Sequence, residues 1–218
     1  MSIEKDDIML EKIKNASKKK KIIAVVLILI AIIAIVFLIF RVKKELDKPV
    51  LSLIPPKPIE STSREEFVVN AQLSALPHNL YPAASISVSF DNTKLEFTGV
   101  KMGTMMTYGD KRANGYSFDV PQWSCNTEVS NLKGEINAMY LDTTAGKYAY
   151  CSEGFDSDKK NIVLRLGFKL KDSAIAGDSY NLTFKDGVFA VVDGDESKES
   201  LAMKLGTLRT NNCRIVVK

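Results

Sequence analysis

The rhythm of apolar and polar positions changes twice along the chain. From Ile22 to Phe40 the text IIAVVLILIAIIAIVFLIF runs for 19 residues without a charge, glycine, proline or hydroxyl. As a helix rising about 1.5 Å per residue it would be roughly 28 Å long, close to the hydrocarbon thickness of a bilayer. A helix of a soluble domain keeps a polar stripe, and this run has none. A single transmembrane helix is therefore expected over 22–40. The run is longer than the apolar core of a cleaved signal peptide, and it leaves through Arg41-Val42-Lys43-Lys44-Glu45 with no small-x-small cleavage pattern. It is expected to stay attached as a signal-anchor. Lys12, Lys14 and Lys18 to Lys21 precede it, against Arg41, Lys43, Lys44 and Lys48 after it. That excess makes residues 1–21 a basic cytoplasmic tail and puts the remainder outside the cell, in a single-pass cell-membrane protein.

Between Pro49 and Arg64 the text PVLSLIPPKPIESTSR holds four of the seven prolines. Proline cannot continue a helix and favours extended backbone, so residues 41–65 are expected to form a semi-rigid linker. Beyond it the period becomes two. Phe67 to Leu73 is a strand, and Ser85 to Phe90 alternates strictly, with Ile86, Val88 and Phe90 on one face and Ser85, Ser87 and Ser89 on the other. Strands are also expected at 94–100, 134–142, 161–171, 180–184, 188–192 and 213–217. Leu164, Leu166, Phe168 and Leu170 share the inner face of the third of these. No sustained 3.6-residue period follows Phe40, so residues 66–218 are expected to be an all-β sandwich or barrel.

Charge looks different once it is located. The net charge of +4 hints at an anionic partner. Residues 1–48, however, hold eleven Lys and Arg against six Asp and Glu, a balance of +5, and the remainder holds nineteen against twenty, or −1. The positive charge is a topology signal near the membrane, and no nucleic-acid motif accompanies it.

Candidate chemistry is sparse. The single histidine, His78, lies in a Pro-His-Asn turn and no Gly-x-Ser-x-Gly elbow exists, which argues against a serine hydrolase. The acidic pair Asp156 and Asp158 and the group Asp193, Asp195 and Glu196 sit in turn-rich text. As a calcium loop starting at Asp193, the second fails where glycine and the closing glutamate belong, at Lys198 and Lys204. No metal site or cofactor is expected, and no enzyme. Three cysteines leave two arrangements open: a Cys125–Cys151 disulfide with Cys213 free, or three reduced thiols behaving as small hydrophobes. Trp123 with Tyr108 and Tyr116 would bind polysaccharide if exposed as a coplanar strip, and otherwise belongs to the core.

The strand text resembles a cohesin domain, the receptor half of the cohesin–dockerin pair. The resemblance is carried by YPAASISVSFDNTKLEFTGV (81–100), INAMYLDTTAG (136–146), Val163 to Gly177 with its Ala-Gly turn, and Phe184 to Asp193. It covers about 66–218. It implies a jelly-roll sandwich of about nine strands, related to certain carbohydrate-binding modules. The implied role is non-catalytic capture of a dockerin-containing protein, with calcium only on that partner. Partner contacts would come from Ala83, Ser85, Ser87 and Ser89 on one strand and from Met139, Leu141 and Asp142 on another. Cohesins commonly carry Asn and Asp near the positions of Ala83 and Ser85, and this chain has neither. The alternative within the same superfamily is a carbohydrate-binding module using Trp123, Tyr108 and Tyr116.

Overall fold

The computed structural model describes residues 23, 26, 27, 29–112, 115–119, 122–143, 148–155, 161–191 and 200–218, with side chains except at 108–112 and 115–119. Two compact units emerge, residues 1–47 and 48–218. In the first, residues 29–46 form helix α1, and Ile23, Val26 and Leu27 are also helical. Its apolar side chains stand exposed, Phe37 at 69% and Phe40 at 68%. Among the described residues no helix is long and apolar enough to cross a membrane. Ile22, Ala24, Val25 and Ile28 of the apolar run lie outside them.

The second unit begins inside the stretch expected to be a linker. Fifteen strand segments occur among its described residues: β1 (Val50–Ile54), β2 (Phe67–Leu73), β3 (Leu80–Tyr81), β4 (Ala83–Ser89), β5 (Leu95–Met102), β6 (Thr107–Arg112), β7 (Gly115–Asp119) and β8 (Ser124–Cys125). After helix α2 (Thr127–Lys133) come β9 (Glu135–Leu141), β10 (Tyr150–Cys151), β11 (Ile162–Leu170), β12 (Ser179–Ala190), β13 (Leu201–Ala202), β14 (Arg209–Asn211) and β15 (Cys213–Val216). Five make one sheet in the order β14-β1-β2-β11-β5, and a second runs β13-β12-β4-β9-β8 with β15 also paired to β12. A smaller sheet, β3-β10-β6-β7, uses the region after Lys101.

Residues 50–54 are thus a core strand and not a spacer. Leu51 and Leu53 are buried, and β1 pairs antiparallel with β2 and parallel with β14. The prolines at 49, 55, 56 and 58 flank the strand, so none removes a ladder amide. Even Ile59 is tied down: its amide donates to the Val216 carbonyl (3.0 Å), and the Lys218 amide donates back to Ile59 (2.8 Å).

The two main sheets bury one continuous core. Val69, Ala71 and Leu73 of β2 and Leu164, Leu166 and Phe168 of β11 contribute to it from one sheet, and Ile86 and Val88 of β4 and Ile136 of β9 from the other. Phe168 is its aromatic hub, with ring centroids 5.5 Å from Phe90, 5.6 Å from Phe97 and 6.1 Å from Phe67. Burying each such side chain is worth about 1.5–3 kcal/mol. The expected faces of β4 and β11 are the observed ones.

Three expectations change. Strands expected at 180–184 and 188–192 are one strand, β12, bulged between Phe184 and Asp186. Lys185-Asp186-Gly187 has the composition of a turn, but a bulge absorbs it. Against the expected count of about nine strands, fifteen segments occur among the described residues, because short edge pieces pair at several corners. Helix α2 was not expected at all. Its only buried residue is Ser130, so it has no apolar stripe for periodicity to find. Caps define it instead. Asn126 Oδ1 accepts from the Val129 amide (3.0 Å), and Gly134 at φ 66° closes the C-terminus. A Cβ at Gly134 would lie 2.9 Å from the Phe90 carbonyl oxygen.

All three thiols are free, so the Cys125–Cys151 pairing is not formed. Cys125 lies on β8 in the second main sheet, with Sγ 3.6 Å from Ser130 Oγ. Cys151 lies on β10 in the small sheet and is fully buried. Burial pushes the Cys151 and Cys213 thiols up to about 11, which keeps them unreactive.

Candidate functional site

Strand register brings the expected partner residues onto one surface. β4 is the centre of its sheet, and antiparallel pairing places Ala83 opposite Leu141, Ser85 opposite Met139, Ser87 opposite Asn137 and Ser89 opposite Glu135. All are outward positions of their strands, because the residues between them (Ala84, Ile86, Val88, Ile136, Ala138) fill the core. On the other side of β4, Ala190, Val188, Asp186 and Thr183 stand opposite Ala83, Ser85, Ser87 and Ser89. Ser124 of β8 extends the Met139 row.

Along β4 the face carries only small residues, with two long aliphatic side chains beside it. Met139 is 60% and Leu141 66% exposed, and they are adjacent outward positions of β9, so they form a pair on the surface. Ser87 Oγ donates to Asn137 Oδ1 (2.5 Å), and Asn137 Nδ2 donates to Glu135 Oε1 (3.2 Å). Ser124, Asn126, Thr127, Glu128, Asn137 and Met139 line a shallow depression along the β8–α2 border. Asp186 is ion-paired with Lys204 at 2.7 Å.

Asp142 plays another part. Its carboxylate accepts from the Tyr148 amide (3.2 Å) and its own amide donates to the Pro82 carbonyl (2.7 Å). It pins the end of β9 and does not share the outward parity of Met139 and Leu141. Sequence reasoning missed Asn137, Ser124, Glu128 and Glu135. Asn137 and Glu135 were legible, being two and four residues before Met139 on a period-two strand. The other two depend on the β8 and α2 placements.

The aromatic residues do not form an exposed strip among the described side chains. Trp123 packs against Tyr140 at 6.2 Å and Tyr150 at 6.4 Å, and its Nε1 donates to the Tyr150 hydroxyl (2.9 Å). Tyr150 is fully buried and also meets Phe189 at 5.8 Å. Planes tilted by 39° and 45° offer no common platform for a sugar ring. Burial, reinforced by the Asp142 charge, pushes Tyr140 up to about 12. Tyr108 and Tyr116 lie on the β6–β7 hairpin, and their side chains are outside the description.

His78 is exposed, with Nδ1 3.0 Å from Ser152 Oγ and 3.5 Å from Glu153 Oε1. Both partners address the same ring nitrogen, so the imidazole cannot pass a proton from serine to carboxylate through its two nitrogens as a triad requires. Asp156, Asp158 and the 193–197 segment lie outside the described residues. Among the described residues no cluster of three or more His, Cys, Asp or Glu could hold a metal ion.

No family model matches the sequence, and no curated protein does. Solved structures do match by shape. The third cohesin of ScaC from Acetivibrio cellulolyticus, solved with the ScaB dockerin, superposes with a TM-score of 0.55 at 16% identity, over 78% of this chain and 98% of that one. The sixth cohesin of scaffoldin B from the same organism, in complex with a Cel5 dockerin mutant, gives 0.53 at 21%, over 78% and 99%. The cohesin of a Clostridium thermocellum Coh-OlpA–Doc918 complex gives 0.52 at 11%, over 79% and 100%. At such identities the likeness is one of fold, and the chain has a cohesin-like β-sandwich.

Proposed function

We propose that residues 48–218 are a non-catalytic docking module that captures a dockerin-bearing protein on the outward face of β12, β4, β9 and β8. One observation carries the reading: Met139 and Leu141 stand exposed beside a strand whose outward residues are only alanine and serine. A small-residue strip admits a helix closely, and two aliphatic anchors give it an apolar centre. The solved neighbours bound to dockerins support the same partner class. Among the described side chains polysaccharide finds no comparable platform, since Trp123 is engaged with Tyr150.

We further propose that residues 22–40 anchor the module in the cell membrane, with residues 1–21 cytoplasmic and the sandwich outside. The exposed apolar side chains of α1 and the lysine excess before it support this. The test is capture by the detergent-solubilised full chain from an extract of its own organism, with and without a calcium chelator. Recovery of a dockerin-containing protein, lost with chelator and lost in Met139→Asp, is expected. Capture that survives Met139→Asp would place the docking surface elsewhere.

A further inference from the structure

The outward face is graded along its length. Its rows run from Ala190–Ala83–Leu141, wholly apolar, through Val188–Ser85–Met139, to Asp186–Ser87–Asn137 and finally Thr183–Ser89–Glu135. Glu128, in the first turn of α2, lines the depression that also holds Asn137 and Met139. Among the described residues neither Glu128 nor Glu135 has an ion pair, whereas Asp186 is neutralised by Lys204. One end of the surface is therefore greasy, Glu135 closes the other, and Glu128 flanks the rows of Met139 and Asn137.

We infer that the occupant is an amphipathic helix lying along the strands, aliphatic over Leu141 and Met139 and bearing Arg or Lys over Glu135 and Glu128. This rests on the docking reading above and adds orientation and charge to it. The spacing follows from geometry. Met139 and Glu135 are four strand residues apart, about 13 Å at roughly 3.3 Å per residue. A helix covers that in about nine residues at 1.5 Å each. Turned end for end, the same helix would bury its cation against Leu141 and leave both carboxylates facing apolar groups. The gradient therefore selects one direction.

Helical hairpins randomised on one face and selected for binding to the purified full chain provide the test. The wild type should enrich Arg or Lys about nine residues from an aliphatic pair. The Glu128→Lys/Glu135→Lys double variant should enrich Asp or Glu at that spacing. Cross-binding of the two selected sets should fall roughly five- to tenfold, and less at high salt, as rim charges do. If both proteins select the same sequences while Met139→Asp abolishes binding, the graded-charge inference fails and the docking face stands. If selected hairpins ignore Met139→Asp, or none is selected, the docking face fails with it.

Discussion

Replacing Trp123 by Phe separates a structural aromatic from a glycan platform. Trp123 Nε1 donates to the hydroxyl of Tyr150, whose side chain is fully buried. Phenylalanine keeps an aromatic ring against Tyr140 and Tyr150 but offers the hydroxyl no donor. Leaving one buried polar group unpaired costs about 1–3 kcal/mol, and the lost ring area adds about 1 kcal/mol. For a domain of this size each kcal/mol shifts Tm by about 2–4 °C, so Trp123→Phe should lower Tm by roughly 4–16 °C. Calorimetry is the suitable assay, because Trp123 is the sole tryptophan and the substitution removes the fluorescence signal. Adding Tyr150→Phe removes the orphaned hydroxyl, so the double variant should be no less stable than Trp123→Phe alone. An unchanged Tm for Trp123→Phe, with lost retention on insoluble polysaccharide, would refute the argument and restore the sugar-binding role.

The strand hidden among prolines gives a second test: a chain beginning at residue 66 should fail to show cooperative unfolding, whereas one beginning at 48 should show it. Leu51→Asp in the full chain should mimic the loss of β1, since it buries an unpaired carboxylate at a fully buried position. Alkaline pH should destabilise the sandwich. Burial holds the Cys151 and Cys213 thiols and the Tyr140 hydroxyl neutral in the fold, up to about 11, 11 and 12, above their values in an unfolded chain. Their stabilisation is complete below about pH 8.5 and is lost as pH rises through 11–12, so the urea midpoint should decline there, and a flat profile would contradict the burial. Asn126→Ala should cost about 1 kcal/mol by removing the cap of α2, read as a lower urea midpoint with an unchanged slope. For the anchor, protease added to intact cells should remove the sandwich and leave a membrane-bound fragment containing residues 22–40; full protection would reverse the topology.

Much of this molecule is written in its alternation. The serines at 85, 87 and 89 and the apolar residues between them assign β4 its two faces without any tertiary information, because a strand whose neighbour pattern has period two can bury only one set. The same holds for β2 and for the inner face of β11. Local composition misled in two places, each time because a turn-like residue set was absorbed by a neighbour. Prolines flank β1 without entering it, and the Lys185-Asp186-Gly187 bulge keeps β12 continuous. Helix α2 escaped notice since its stability comes from two caps and from Asn131, whose side chain bonds both backbone groups of Phe97 at 2.8 Å.

The division for the candidate site is sharper. The sequence alone determined that β4 has a serine face and that Met139 and Leu141 share a strand parity, since both are consequences of a two-residue repeat. Only the tertiary structure decided that the two strands are adjacent and in register, that Asn137 and Glu135 lie at the polar end with Glu128 beside Asn137, that Asp142 is spent on Tyr148, and that Trp123 is held by Tyr150. Register between strands about fifty residues apart depends on how the whole core packs, and no local pattern encodes it.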